Sequence, residues 1–361
     1  MLDTFVKQPL FFLQDIASNI HIESNFCIYH PNFQPFALPA TVAQRFQQTS
    51  TTLKRKYLSL LLRNFLFGIY YSGSLQSFLA VNEDNIDYQL HQNLESNSTF
   101  GIDWQFYEQL NEHNHGTGYF DCDWEVLRKE VDGSLAVCKG GLTLHLERDL
   151  HLQPNQKNAV VGKSVEIWMP KNRLQNGYYV AVSNVGQEQQ NPDVNLGIGR
   201  IYLNITPSGA VALMDILTKK LNVAEIPFSF HVLYNPYAYG RYDSGVLYFE
   251  RENYRIIRDI LQEIYRKNNF YFQPEIPLFT KFLAPGLSVA EEPSQKFAAQ
   301  ESFGMNRCQI VANALLSAWE KGENSTEQRL TEIGKHFAQY SIDLQRPYLN
   351  PDSEDIYYPL N

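Results

Sequence analysis

Cysteine is scarce in this chain of 361 residues, and its four copies lie far apart, at Cys27, Cys122, Cys138 and Cys308. No two of them form a C-x-x-C pair, which excludes a zinc knuckle and a thioredoxin-type redox motif. Reduced thiols in a cytoplasm are the simplest interpretation of this spacing. The amino-terminal segment lacks a basic n-region, an apolar h-region and a small-residue cleavage site, so a cytoplasmic location is expected.

Long apolar runs and an excess of positive charge are also missing. The longest apolar stretch, from Leu58 to Tyr71, is interrupted by Arg63 and Asn64, so no bilayer-spanning segment is expected. Lysine and arginine number 30 against 39 acidic residues, a formal net charge of −9. A duplex nucleic-acid binder usually has the opposite balance. Neither nucleic acid nor membrane is predicted as a partner, and an anionic substrate needs a local basic pocket.

Signatures of nucleotide and metal enzymes are absent as well. The sequence has no GxxxxGK[ST] phosphate loop, no GxGxxG between a strand and a helix, and no kinase HRD or DFG set. A P-loop kinase is therefore not expected. His113 and His115 lie close together but have no HExxH or cysteine partner, so no metal is predicted.

The hydrophobic pattern predicts an α+β fold. Apolar residues at helical spacing between Val42 and Tyr71 favour a helical amino-terminal region, residues 1–95, with a polar linker over 82–100. Later alternation with period two predicts a central, mainly antiparallel sheet in an α+β domain of residues 96–361. Flanking helices are predicted at about 207–221, 254–264, 306–319 and from 325 onward, and a long ordered loop at 273–293.

The run KGGLTLHLERD, residues 139–149, is the first candidate functional motif. In a strand without a bulge, one face carries a polar set: Lys139, Thr143, His145 and Glu147. The alternating leucines then face the core. Gly140 and Gly141 suit close approach to a ligand, or a bulge that spoils this alternation. A solvated polar face is the plainer interpretation.

Other segments place cations where a ligand can reach them. The segment IWMPKNR places Lys171 and Arg173 at the end of a strand, and the lysine lies either in a cleft or in plain solvent. In YNPYAYGRYDSGVLYF, Arg241 is suited to clamp a phosphate or carboxylate while Asp243 holds its guanidinium. The same pair also suits a turn that it merely fixes. Arg307 lies near a predicted helix start, where backbone donors favour anions, and Lys281 lies in the apolar loop.

These segments carry a family resemblance. KGGLTLHLERDLHLQ, MPKN, LYNPYAYGRYDSGVLYF and TKFLAPGLSVAEEPSQKFAAQESFGMNRCQIVANALL resemble the HopA-type effector family over roughly residues 100–361. In class V lanthipeptide and thioamitide pathways, proteins of this family look like phospholyases and are considered relatives of phosphothreonine lyases. The resemblance implies a precursor peptide phosphorylated on Ser or Thr by a separate aminoglycoside-phosphotransferase-like kinase acting in trans. Elimination of that phosphate leaves dehydroalanine or dehydrobutyrine, and no cofactor is implied.

The same resemblance implies roles for individual residues. Phosphothreonine lyases present a strand histidine as acid, a later lysine as base and arginines for phosphate; this order matches His145, Lys171 and Arg241. Lys139 is then a second phosphate ligand, and its role and that of Lys171 are open to exchange. Thr143 stands where those lyases keep a lysine. A second tier completes the implied site: Tyr234 beside the catalytic pair, Arg200, Lys281 and Arg307 for phosphate, and Asp243 and Asn172 in support.

Two other functions stay open at this point. The missing lysine at Thr143 and the acidic surface favour a non-catalytic module that binds a phosphopeptide or a protein. An ADP-ribosyltransferase-like effector needs an Arg/Ser/Glu set, which the RYDSG segment echoes only faintly.

Overall fold

The computed structural model describes residues 8–23, 26–80, 101–187, 197–299 and 301–361. The predicted α+β fold is confirmed, because helices flank sheets whose paired strands are all antiparallel. The predicted linker and the boundary near residue 95 lie within 81–100, outside the described residues. None of the described helices is long and apolar enough to cross a membrane.

The amino-terminal region is less helical than the sequence predicts. Its helices are α1 (Gln8–Asn19), α2 (Ala40–Gln47) and α3 (Thr51–Leu66), and a π-helical turn, Phe67–Tyr71, continues α3. Between α1 and α2 lies a small sheet of β1 (His21–Glu23), β2 (Cys27–His30) and β3 (Phe33–Ala37). Proline favours an extended backbone, both at its own position and in the residue before it, so the proline-rich segment forms strands.

A four-stranded sheet with its own small core follows α4 (Trp104–His113). Its strands are β4 (Tyr119–Lys129), β5 (Leu135–Lys139), β6 (Leu142–Leu146) and β7 (Ser164–Met169), in the order β6–β5–β4–β7, with the short α5 (Arg148–His151) before β7. Gly140 and Gly141 have φ of 58° and 82° and form the hairpin turn between β5 and β6. The prediction of one continuous strand is therefore wrong: Lys139 lies on β5, and Leu142 is 56% exposed instead of facing the core.

The third sheet has seven strands and dominates the fold. They are β8 (Asn172–Gln175), β9 (Tyr178–Val182), β10 (Ile198–Leu203), β11 (Phe228–Leu233), β12 (Gly245–Glu250), β13 (Lys281–Ala284) and β14 (Leu287–Glu291), in the order β13–β14–β10–β12–β11–β9–β8. The long loop predicted over 273–293 is wrong, because it contains β13 and β14. Gly286, at φ 71°, allows the tight turn that joins them.

Helices cover the sheet, largely where the sequence predicts them. They are α6 (Pro207–Val223), α7 (Tyr254–Asn268), α8 (Phe303–Glu320) and α9 (Thr326–Gln339), with 3₁₀ turns at Pro236–Ala238, Arg251–Asn253 and Asn269–Tyr271. Thr206 caps α6 by accepting from the Gly209 amide, 3.1 Å away, and Pro207 takes the first helical position. Ser325 and Gln328 form a capping box on α9.

The two faces of the seven-stranded sheet differ in chemistry. Phe230, Leu247 and Ile201 are fully buried on one face, in the main core that also includes α6 and α7. Strand pairing places Arg173 opposite Val180, and Val180 opposite His231. Arg200 lies opposite Tyr248, two residues from the partner of His231. Because residues two apart share a face, Arg173, Arg200 and His231 all lie on the opposite face from the core.

The amino-terminal helices pack on the carboxy-terminal ones, α3 against α8 and α1 against α9. The π-helical turn lies where these layers meet. On one side, the Tyr70 hydroxyl donates to Asp15 (2.7 Å) and lies 3.0 Å from His30 Nε2. On the other, Tyr71 packs against Tyr202 and Phe303. The amino-terminal region is thereby tied to the polar face of the large sheet.

Gly304 and Gly334 offer a matched test of this packing. A Cβ at Gly304 would overlap the Tyr71 ring, whereas a Cβ at Gly334 meets nothing within 4 Å. We expect Gly304→Ala to lower the free energy of unfolding by about 1–3 kcal/mol, because Tyr71 must move. Gly334→Ala should raise it by about 0.5–1 kcal/mol through helix propensity. Urea unfolding of both variants checks the pair, and equal effects would contradict the close approach of Tyr71.

Candidate functional site

A cavity of about 340 Å³ opens on the polar face of the seven-stranded sheet. The sheet supplies its floor, the π-helical turn adds Phe67 and Tyr71, and the segment leading into α8 adds a further wall. Four cationic side chains line it, namely Arg173, Arg200, Arg241 and Lys296, against three carboxylates, Asp243, Glu292 and Glu301. The lining therefore carries a formal excess of one positive charge in a protein of net charge −9.

Arg241 is fixed by its neighbour Asp243. Its Nε and one terminal nitrogen donate to the two carboxylate oxygens at 2.6 and 2.8 Å, and Arg241 is 2% exposed. Burial opposes the charge on Arg241, but the carboxylate outweighs burial and raises the arginine pKa. A bidentate pair of this kind is rigid and largely neutralised, so Arg241 shapes the cavity more than it charges it.

Glu292 is shared by two cations. It forms ion pairs with Arg200 and with Lys296, which leaves this cluster with one positive charge in excess. Arg200 is 6% exposed, and its guanidinium lies 4.7 Å from the centre of the Tyr248 ring. Burial opposes its charge, but Glu292 together with the neighbouring tyrosines raises the Arg200 pKa. The buried Nε of Arg200 has no hydrogen-bond partner among the described residues.

Of the four cations that line the cavity, Arg173 has the fewest partners among the described residues. Its Nε is buried without a hydrogen bond, and no carboxylate pairs with its guanidinium there. A buried donor without a partner costs about 1–3 kcal/mol, and an anionic ligand in the cavity would remove that cost. Arg173 and Arg200 are therefore the donors best placed to hold a phosphate or carboxylate.

His231 lies between these arginines on β11. Its Nε2 is 3.2 Å from Ser229 Oγ, and its ring centre is 4.5 Å from that of Tyr248. Burial and the charges of Arg173 and Arg200 lower the His231 pKa to about 3. The imidazole is therefore neutral near pH 7 and is able to accept a proton or a hydrogen bond. Burial also raises the pKa of Tyr71 and Tyr248, which keeps both hydroxyls protonated as donors.

Of the site residues predicted from the sequence, the structure brings Arg200, Arg241 and Asp243 together in this cavity. Lys171 does not line it. Its Nζ donates to the carbonyls of Asn111 (2.8 Å) and Asn114 (2.9 Å) at the end of α4, and burial lowers its pKa. Terminal helix carbonyls lack partners within their helix, so Lys171 acts there as a cap.

His145 is also outside the cavity. It lies on β6 of the four-stranded sheet, its side chain is 57% exposed, and its Nδ1 is 3.4 Å from a Glu130 carboxylate oxygen. The predicted pairing of His145 with Lys171 as acid and base does not occur in this arrangement, because His145 lies on the four-stranded sheet and the Lys171 amine is engaged at the end of α4. The order of residues along the chain does not bring them into one site.

The remaining predicted residues hold other parts of the fold. Each has a partner away from the cavity: Lys139 donates to Asp121 (2.9 Å), Asn172 to the Tyr107 hydroxyl (3.0 Å), Lys281 to Asp355 (2.6 Å) and Arg307 to the Pro347 carbonyl (2.8 Å), while Tyr234 is buried in the main core. Burial lowers the pKa of Arg307 to about 10. Arg307 and Lys281 both fasten the carboxy-terminal segment. His115 pairs with Asp215 (2.6 Å), and the described residues contain no cluster suited to a metal ion.

His231, Tyr248 and Lys296 were not predicted from the sequence, and Arg173 was named only together with Lys171. A signal for two of the cavity residues is present in the strands IGRIYL and FSFHVL, each with one basic side chain among mainly apolar ones. Burying such a side chain is costly unless a partner or ligand compensates it. Which strands are neighbours is a property of topology, so the convergence of Arg200 and His231 is visible only in the fold.

An antiparallel sheet that carries a buried cationic cavity defines an α+β protein with a candidate anion site. The chain belongs to the HopA1 effector protein family, whose model matches residues 169–349. This result confirms the resemblance drawn from the sequence. The matched region contains every residue that lines the cavity except Phe67 and Tyr71.

Two solved structures are similar to part of the chain. The effector protein from Pseudomonas syringae pv. tomato strain DC3000 has 18% identity and a TM-score of 0.37, over 48% of this chain and 63% of that one. The effector protein from Pseudomonas syringae pv. syringae strain 61 has 17% identity and a TM-score of 0.36, over the same shares. The match thus spans less than two thirds of either effector. No curated protein matches the chain.

The low pKa of His231 has a consequence for stability. Because the folded pKa, about 3, is below the unfolded value of about 6.5, the unfolded state takes up the proton first as the pH falls. The wild type should therefore lose stability between pH 6.5 and 4 more steeply than His231→Gln, by up to about 1.4 kcal/mol per pH unit. Urea unfolding across this range checks the difference, and parallel pH curves would contradict a neutral, buried His231.

Proposed function

We propose that this protein is a phospholyase that eliminates phosphate from phosphoserine or phosphothreonine in a precursor peptide. In this proposal a separate aminoglycoside-phosphotransferase-like kinase phosphorylates the peptide first. The observation that carries the proposal is the convergence of Arg173, Arg200 and a neutral His231 in one cavity. Membership of the HopA1 effector protein family is consistent with it.

The arginines supply the electrostatic part of the reaction. A phosphate in the cavity would accept hydrogen bonds from Arg173 and Arg200, whose Nε groups have no other hydrogen-bond partner among the described residues. The same cations would stabilise the negative charge that grows on the phosphate oxygen as the carbon–oxygen bond breaks. Because Glu292 and Asp243 already hold Arg200 and Arg241, these donors need little reorganisation on binding.

His231 supplies the proton acceptor. A neutral imidazole with a pKa near 3 is a weak base, but a bound phosphate adds negative charge beside it and raises that pKa. A ring nitrogen of His231 then takes the proton from the peptide Cα. The electron pair of that C–H bond forms the new C=C bond, and the bond to oxygen breaks, so phosphate leaves with its electrons on the oxygen held by the arginines.

These assignments replace two roles implied by the resemblance. His231 takes the part of base in place of Lys171, because the Lys171 amine is engaged by two carbonyls at the end of α4. Arg173 takes the part of phosphate ligand in place of Lys139, which is held by Asp121 on the other sheet, while Arg200 keeps the part that the resemblance implies for it. Arg241 and Asp243 then act as a rigid wall.

A second candidate function is a phosphopeptide-binding module without turnover. The observation that favours it is the position of Lys171 and His145, the implied base and acid, outside the cavity. In that case Arg173 and Arg200 would bind the phosphate, and His231 would only accept a hydrogen bond.

The test uses a phosphopeptide derived from a precursor encoded near the gene, with intact-mass detection of the loss of phosphoric acid. We expect wild type to convert it, and His231→Gln to slow conversion by about 10²–10⁴-fold, as loss of a general base does. Arg173→Gln should weaken binding and slow conversion together. Lys171→Met should convert the peptide at a rate close to wild type, since in this proposal it only caps α4.

Binding of the same phosphopeptide, measured by fluorescence anisotropy, separates the candidates. Binding by wild type without any conversion would support the non-catalytic module and overturn the lyase. Conversion abolished by Lys171→Met but kept by His231→Gln would restore the assignment implied by the resemblance. Circular dichroism of each variant controls for loss of the fold.

A further inference from the structure

The strand β8 ends the seven-stranded sheet, and among the described residues only one of its edges is paired with another strand. That edge pairs with β9, where the Val182 amide donates to the Lys171 carbonyl at 2.9 Å. Hydrogen bonding alternates along an antiparallel pair, so Arg173 and Gln175 also direct their backbone groups toward β9. The amide and carbonyl of Leu174 therefore point away from the sheet, and they have no backbone partner in the described part of the chain.

The side chains of this edge strand connect it to the cavity. Arg173 and Gln175 line the cavity, and Asn176, which follows the strand, does so as well. Gln175 and Asn176 are exposed, so this edge forms part of the cavity mouth. Leu174 points to the opposite face and is 43% exposed. A strand edge that no described residue pairs with thus runs directly beside a cationic cavity.

We propose that the phosphopeptide binds in an extended conformation as an eighth strand along the free edge of β8. This inference rests on the proposed function for its ligand. An added strand lies about 4.8 Å from its neighbour, and residues directly opposite have Cβ atoms about 4.5–5.5 Å apart. A phosphorylated residue opposite Arg173 therefore projects on the cavity face, next to a guanidinium that pairs with no carboxylate among the described residues.

The charges at this edge favour a phosphopeptide over a second copy of the chain. If two copies of the chain paired through β8 about a two-fold axis, their Arg173 side chains would lie near each other. The two cavities, each with an excess of positive charge, would then also be neighbours. Like charges across a strand pair are destabilising. An anionic peptide meets the opposite situation, because its phosphate compensates Arg173 and the excess charge of the Arg200 cluster.

This mode of binding makes recognition depend on backbone more than on sequence. In a bound strand, the amides of alternate peptide residues face β8 and those between them face solvent. Side chains with the same orientation as the phosphorylated residue meet the cavity, and the others point toward the face that carries Leu174. The protein would thus accept varied sequences around the phosphorylation site, provided that the segment is extended and lacks proline at amides that face β8.

The protein side is tested with Leu174→Pro. Proline removes the outward amide of Leu174 but no hydrogen bond to β9, and edge strands tolerate proline at such positions. The matched control is Thr143→Pro on β6, the edge of the other sheet, where the two-residue turn at Gly140–Gly141 also predicts an outward amide. We expect Leu174→Pro to weaken binding of the labelled phosphopeptide at least about tenfold, with Thr143→Pro unchanged.

The peptide side is tested by methylating one backbone amide at a time in the same phosphopeptide. We expect methylation of every second amide to lower the affinity and methylation of the amides between them to leave it unchanged. We also expect added peptide to protect the β8 amides from hydrogen exchange. Equal affinity for all methylated peptides, or wild-type affinity in a folded Leu174→Pro, would overturn the proposal. So would a large loss of thermal stability in Leu174→Pro without peptide, since the edge would then pair with the chain itself.

Binding and elimination are read separately, so the two proposals fail in different ways. If wild type binds the phosphopeptide without eliminating phosphate, the lyase is overturned while the methylation series still decides the binding mode. If elimination proceeds while Leu174→Pro binds the phosphopeptide as tightly as wild type and the methylated peptides bind as tightly as the unmethylated one, only the eighth strand is overturned. If wild type does not bind the phosphopeptide at all, the eighth strand is overturned as well.

Discussion

Buried positive charge on one face of the seven-stranded sheet is the constraint on which this structure depends. A guanidinium removed from water is stable only when carboxylates or hydrogen-bond acceptors compensate it. Asp243 meets this need for Arg241, and Glu292 meets it for Arg200. Both carboxylates lie outside the strands, in the β11–β12 loop and in the segment after β14. Ion pairs with the buried arginines therefore fix the position of these two irregular segments. The cavity is the space between the segments and the sheet.

Local periodicity decided which parts of the molecule were predictable from the sequence. The helices α6, with its Thr206 cap, and α9 followed from residues close in the chain. The three-stranded amino-terminal sheet and the strands β13 and β14 did not, because proline and glycine there mark turns between very short strands. In the candidate site, Arg200, Arg241 and Asp243 were found, and His231 was not. Its neighbours in space come from β8 and β10, which are distant in the sequence.

Lys171 shows why order along the chain is a weak guide to a site. The sequence places it two residues before Arg173, and residues two apart in an extended chain share a side. Arg173 faces the cavity, whereas Lys171, just before β8, reaches the carbonyls at the end of α4. Alternation along the strand therefore does not separate the two cations. The contact of α4 with the start of β8 separates them, and that contact joins segments about sixty residues apart in the sequence.

The π-helical turn has a consequence for how the functional unit of this protein is delimited. Its two consecutive tyrosines serve different neighbours, with Tyr70 bonded to Asp15 of α1 and Tyr71 forming part of the cavity wall. The family match begins only at residue 169, about a hundred positions later. A fragment cut to the matched region would retain every cation of the cavity and lose one of its walls. Grafting the matched region onto the amino-terminal part of another family member would likewise rebuild the cavity with foreign aromatic residues, so the exchangeable module of this fold is larger than the segment by which the family is recognised.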